Sequence, residues 1–180
     1  MKFVLICCSL ILQVAYSQNS FTTLSELRAI QYKRQTTCSL EEQQELIKNH
    51  IEIDSINEKL LQITNYYRNL ANSNSLALSL EACAYAQTHA ESMAKLNMIY
   101  HSDIENSPHL GENVLYLDYY VKTPRLQSLP MDIISIWLHS VKHNVHMNSN
   151  APRAGFGVTY KIINDCYIRV YAVFITTNKL

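Results

Sequence analysis

Glycine is scarce in this chain: Gly111, Gly155 and Gly157 are the only three in 180 residues. They are too few and too poorly spaced to form a loop that cradles phosphate with backbone amides. A G-x-S-x-G elbow is also missing, and no serine sits in a recognisable nucleophile setting. No Asn-x-Ser/Thr sequon occurs, and no cysteine spacing resembles a zinc motif. Charge of one sign is lacking too. Fifteen basic residues balance fifteen acidic ones, which leaves no electrostatic reason to expect nucleic acid or an anionic membrane as partner. The apolar run near the N-terminus is shorter than the roughly 20 residues of a membrane span, and no later run approaches that length.

What is present begins with MKFVLICCSLILQVAYS, residues 1–17. Lys2 gives a basic start, Phe3–Leu12 an apolar run, and Ala15 and Ser17 small residues around a cleavage point. This pattern predicts a secretory signal peptide and a secreted, extracellular product starting near Gln18. Cleavage there removes Lys2 and takes the net charge from zero to about −1. It also removes Cys7 and Cys8, leaving Cys38, Cys83 and Cys166. In an oxidising compartment this odd count allows one internal disulfide, leaves one thiol free or intermolecular, and fixes no pairing. With 48% hydrophobic residues the remaining chain has ample material for a packed core.

Residues 18–54 read as an N-terminal extension, partly helical, with a capping box at Ser39-Leu40-Glu41-Glu42. Ile56, Leu60, Ile63, Tyr67 and Leu70 then mark one helical face, and Leu80, Cys83, Gln87, Ala90 and Ala94 mark a second, with Ser79 as its cap. Ser128-Leu129-Pro130 opens a third helix, on which Ile133, Trp137 and Val141 lie four apart. Phe156, Val158, Tyr160 and Ile162 alternate before a turn at Asn164-Asp165, and CYIRVYAVFI is rich in β-branched and aromatic residues, so the chain ends in a hairpin. Helices first and an antiparallel hairpin last predict an α+β domain over residues 55–180 in which helices cover a sheet.

Two groups of residues can carry chemistry. His139, His143 and His146 fall at i, i+4 and i+7 near the end of the third helix. Ser140 follows His139 where a zinc metalloprotease needs Glu, so that class is excluded. Exposed or hydrogen-bonded helix histidines are the preferred reading over a self-contained metal site. In HSDIENSPHLGEN, residues 101–113, a histidine and a carboxylate can hydrogen-bond, hold a metal or act as an acid–base pair. Cys83, inside an apolar helical face, is expected in core packing or a disulfide rather than in catalysis.

The order of these features resembles the CAP superfamily (SCP/TAPS; cysteine-rich secretory, antigen 5 and pathogenesis-related 1 proteins) over roughly residues 55–177. Asn65, Tyr66, Tyr67 and Arg68 match an Asn-x-x-Arg-like segment, and Leu80, Cys83, Ala86 and Ala90 match the next helix. His101-Ser102, Gly111-Glu112-Asn113, Trp137 with Ser140 and His143, and Gly155-Phe156-Gly157-Val158 follow in the family's order. The absence of a Cys at residue 156 places the likeness with the short, cysteine-poor type.

The resemblance implies an α-β-α sandwich whose helices flank a small, mainly antiparallel sheet, with a cleft lined by His101, Glu112, His143 and Ser140. Gly111, Asn113 and Trp137 have structural parts. Gly111 is expected to allow a backbone turn that aims Glu112 inward, and Asn113 to bond local backbone. His109 is a bystander. Ser140 stands where many animal members carry a second Glu, and His139 is the residue that can stand in for it. For some members the resemblance implies zinc on the two histidines, here His101 and His143.

Three functions follow as expectations. The first is a secreted, non-catalytic effector or ligand-binding protein whose partner is an extracellular protein or lipid. The second is a metal-assisted hydrolase with Glu112 as the catalytic proton acceptor. The third is a sterol or lipid carrier.

Overall fold

The computed structural model describes Glu41 and residues 53–103, 109–120, 128–164 and 167–178. The expected signal peptide, most of the extension with its capping box, Cys38, Cys166 and Asp165 lie outside these residues. In chain order the elements are α1 (Ile53–Leu70), β1 (Ala77–Leu78), α2 (Leu80–Leu96), β2 (His109–Tyr120), α3 (Leu129–His139), α4 (Val141–Met147), β3 (Arg153–Asn164) and β4 (Tyr167–Thr177). The sheet runs β1-β3-β4-β2, with β1 parallel to β3 and the other pairs antiparallel. The fold is α+β, and no helix among the described residues is long and apolar enough to cross a membrane.

Strand β4 shows why the helices divide into two layers. Successive strand side chains point to opposite faces, so Val170, Ala172 and Phe174 enter one core while Tyr171, Val173 and Ile175 enter another. The first core is bulky: Trp137 of α3 lies against Phe174, with ring centroids 5.9 Å apart, and Phe156 packs on Phe174 at 5.1 Å. Leu60 of α1 and Met147 of α4 complete it. To the second core α2 contributes mainly small residues, Ala82, Ala86, Ala90 and Ala94, with Met93. A Cβ at Gly155 would run into the backbone of Ala82 and Cys83, and one at Gly157 into the backbone of Ala86. The two glycines therefore let α2 lie directly on β3.

Several helix faces are shifted from the sequence expectation. Ser79 does cap α2, accepting from the Ala82 amide at 3.3 Å. Cys83, Ala90 and Ala94 of the expected face are buried, but Leu80 sits in the first turn and is 81% exposed, and the buried stripe also takes in Ala82, Ala86, His89 and Met93. On α1 the exposed Leu70 is replaced in the interior by Thr64 and Arg68, because the helix ends at Leu70 and Asn72 turns the chain at φ 58°. Arg68 is buried where its guanidinium meets carbonyls: Nε donates to Asn74 O at 2.7 Å and Nη1 to Met147 O at 2.6 Å. Asn65 grips Leu76 on both sides, donating to its carbonyl at 2.9 Å and accepting from its amide at 2.8 Å. The Asn-x-x-Arg segment is thus a clamp on the connection into β1 and on the end of α4.

The third helix is two helices. Ser140 adopts extended backbone, φ −94° and ψ 118°, ending α3 and starting α4. Its amide donates to Trp137 O at 3.3 Å and its carbonyl accepts from the Asn144 amide at 2.8 Å. The change of direction moves Val141 off the Ile133–Trp137 stripe and leaves it exposed.

Candidate functional site

Gly111-Glu112-Asn113 is strand, not loop, and its alternation sets up the site. Glu112 and Val114 point toward the α2 side, where Val114 joins the small-residue core, while Gly111 and Asn113 serve the opposite side. The backbone turn expected at Gly111 is not found, since no glycine among the described residues has positive φ. A Cβ there would strike the His146 ring, so the missing side chain makes room for an imidazole of α4. Asn113 does not bond local backbone either. Its Nδ2 donates to the carbonyl of His143 at 3.0 Å, tying α4 to the strand.

The Glu112 side chain is fully buried and both its oxygens are engaged. Oε1 accepts from the Ser102 amide and from Nδ1 of His101, each at 2.9 Å, and Oε2 accepts from the Ser102 hydroxyl at 2.6 Å. The bond from Nδ1 leaves the other ring nitrogen of the exposed His101, Nε2, outside the Glu112 contact. A further histidine approaches from α2. The Nε2 of buried His89 donates to Tyr100 O at 2.9 Å and lies 3.8 Å from Glu112 Oε2. Its ring meets that of Tyr100 edge-on at 4.9 Å. The hydroxyls of Tyr100 and Ser92 are 2.6 Å apart, so the whole segment leading to His101 is pinned to α2.

His143, on α4, is held differently. Its backbone is tied by Asn113, but its Nδ1 is buried with no hydrogen-bond partner among the described residues. Burial, followed by the nearby charges of His101 and His146, pushes its imidazole below the ordinary histidine value, so the ring is neutral near pH 7. The site is thus a bonded His101–Ser102–Glu112 half and a desolvated His143 half with His146 beside it.

The other expected residues divide. Ser140 is half-buried at the helix break and makes no side-chain cap bond. His139 is exposed, with Nδ1 donating to Ser135 O at 2.7 Å on its own helix, and no contact among the described residues brings it to Glu112. Trp137 is a core residue. His109 is buried, and its ring packs at a tilt against that of Tyr85, with centroids 4.4 Å apart. Cys83 is a buried free thiol, and burial pushes its thiol up, away from the reactive thiolate. Ser102, His89 and His146 carry parts of the site that sequence reasoning did not assign. Ser102 was visible beside His101, whereas nothing in the sequence marks His89 or His146 as neighbours of β2.

Zinc is tested by its donors. A catalytic zinc takes three protein ligands and a structural one four. Here Glu112 is saturated by other partners, and no group of three or more His, Cys, Asp or Glu among the described residues is placed to hold a metal. His101 and His143 alone do not make a self-contained zinc centre.

Comparison with known proteins agrees with the architecture. The first solved structure is an outer surface protein of Borrelia burgdorferi, at TM-score 0.51 and 14% identity, covering 72% of this chain and 97% of that one. An extracellular protein containing an SCP domain from Bacillus anthracis matches at TM-score 0.44 and 15% identity, over 69% of this chain and 41% of that one. A cysteine-rich secretory protein from Staphylococcus aureus matches at TM-score 0.35 and 13% identity, over 69% and 39%. No curated protein sequence matches the chain. The model of the cysteine-rich secretory protein family, CAP, matches residues 61–173, more than half of the sequence. The chain belongs to the CAP family.

Proposed function

We propose that this chain is a secreted CAP-domain protein whose His101–Glu112–His143 cleft binds an extracellular ligand without turning it over. The observation that carries this reading is the state of Glu112. A general base must reach the proton that it abstracts, yet this carboxylate is fully buried and engaged by three donors. It acts as an anchor that fixes the ring of His101 and the Ser102 backbone. His101 and a neutral His143 then offer imidazole nitrogens to a ligand. Leu110, beside Gly111, and Val145, beside His146, are exposed apolar neighbours that suit a ligand with an apolar part, such as a lipid or an apolar protein side chain.

Secretion rests on residues 1–17 and is in keeping with the Borrelia relative, which is an outer surface protein. The test is recovery of the full chain from the medium of secreting cells. Its N-terminus is then sequenced, bound metal and lipid are inventoried, and peptide and ester libraries are assayed. The expected result is a chain starting near Gln18 with no turnover. Hydrolysis abolished both by a chelator and by Glu112→Gln, with the fold intact, would establish the metal-assisted hydrolase instead.

A further inference from the structure

A cavity of about 650 Å³ lies between the C-terminal half of β2 and α3, with Tyr167 of β4 at its side. It starts five residues along β2 from Glu112, on the order of 15 Å away at the usual strand rise, and its described lining residues include none of His101, Glu112 and His143. Its size falls within the roughly 300–1,000 Å³ typical of small-molecule sites. Tyr119, Tyr120 and Tyr167 supply aromatic surface, and Leu117 and Ile136 supply aliphatic surface.

The charge of the lining is one-sided. Two aspartates face the cavity, and among the described residues no Lys, Arg or His lines it. Asp118 is neutralised from outside, because Arg169 donates to both its oxygens, at 2.6 and 2.7 Å. Asp132 has no cationic partner among the described residues. Its Oδ2 accepts from the hydroxyls of Tyr119 and Ser128, each at 2.9 Å, while its Oδ1 accepts nothing among the described residues. These two bonds aim the carboxylate and leave one oxygen for a donor that none of the described residues supplies.

We propose that this cavity is a binding site for a small organic cation, an amine or quaternary ammonium with an apolar body. The cation meets Asp132 Oδ1 and the tyrosine rings, both of which favour positive charge. The apolar body covers Leu117 and Ile136. A neutral or anionic molecule of the same shape gains the apolar contacts and forfeits the charge term, so selectivity among isosteres separates this site from a general greasy groove.

The experiment titrates the full chain with phenethylamine, phenethyl alcohol and phenylacetate and follows backbone amides by NMR. Phenethylamine is expected to saturate, with shifts at Leu117–Tyr120 and Ser128–Ile136, and to bind about tenfold or more tightly than the alcohol, the range of one charge-assisted hydrogen bond. Asp132→Asn keeps an acceptor for Tyr119 and Ser128 and should erase the preference for the amine, while Tyr167→Leu should weaken the amine more than the alcohol. Equal binding of the three probes, or shifts confined to residues around His101 and His143, would overturn the proposal. So would the absence of saturation by the amine, including the case in which a lysine-containing peptide saturates these amides and the amine does not.

Discussion

On one side of the sheet α2 rests its backbone on Gly155 and Gly157, whereas on the other α4 rests only the His146 ring on Gly111. The first seam is closed by main chain, which cannot move without moving the helix. The second is closed by a side chain that can turn, and α4 is kept in place by polar bonds to its carbonyls, from Arg68 to Met147 and from Asn113 to His143. The difference assigns the two sides separate work. The α2 side supplies a fixed frame from which Glu112 positions His101, and the α4 side supplies the adjustable half of the cleft.

The largest effect is expected where the frame itself is attacked. Gly157→Ala forces a methyl group into the Ala86 backbone and should cost about 3 kcal/mol, the upper range for overpacking. Gly111→Ala should cost only about 1 kcal/mol, because the His146 ring can swing away. Urea unfolding of the two variants measures the contrast, and equal losses would break it.

Arg68→Met comes next. It leaves the buried carbonyl of Met147 and the part-buried one of Asn74 without their donor and should destabilise by about 2 kcal/mol. Loss of amide protection from hydrogen exchange concentrated in α4, measured in the same variant, would place the bond on the adjustable side as described. Uniform loss across the sheet would not.

The smallest effect is in pH dependence. His143 has its folded value depressed by burial, then by His101 and His146. The unfolded chain therefore takes up this proton first as pH falls through about 6.5, and stability declines from there until the folded ring also protonates. Above that window His143 contributes no slope. Thermal unfolding between pH 7.5 and 5 should fall more steeply for the wild type than for His143→Gln, and parallel curves would remove His143 from the account.

Much of this was legible in the residues, for reasons that also show where legibility stops. The β3–β4 hairpin could be read because alternation is a local property, and Phe156 and Val158 do face one core. The cap at Ser79 could be read because it answers to an amide three residues away. The break at Ser140 could not, since Ser is tolerated inside helices and the bend is imposed by Trp137 entering the core while Asn113 draws in α4. His101 and Glu112 were identified through an ordered resemblance, but the burial of Glu112 depends on Ser102 folding back over it. Likewise the purpose of Gly111 lies in His146, 35 positions away in sequence, and no local pattern announces such a contact.

The account stands most directly on Glu112 being an anchor, and urea unfolding of Glu112→Gln at pH 7 tests it. An amide cannot accept from His101 and both Ser102 donors as the carboxylate does, so a loss of about 2 kcal/mol with an unchanged m-value is predicted. A variant as stable as the wild type, or more so, would contradict it, because that is the behaviour of a residue kept for chemistry at the expense of stability.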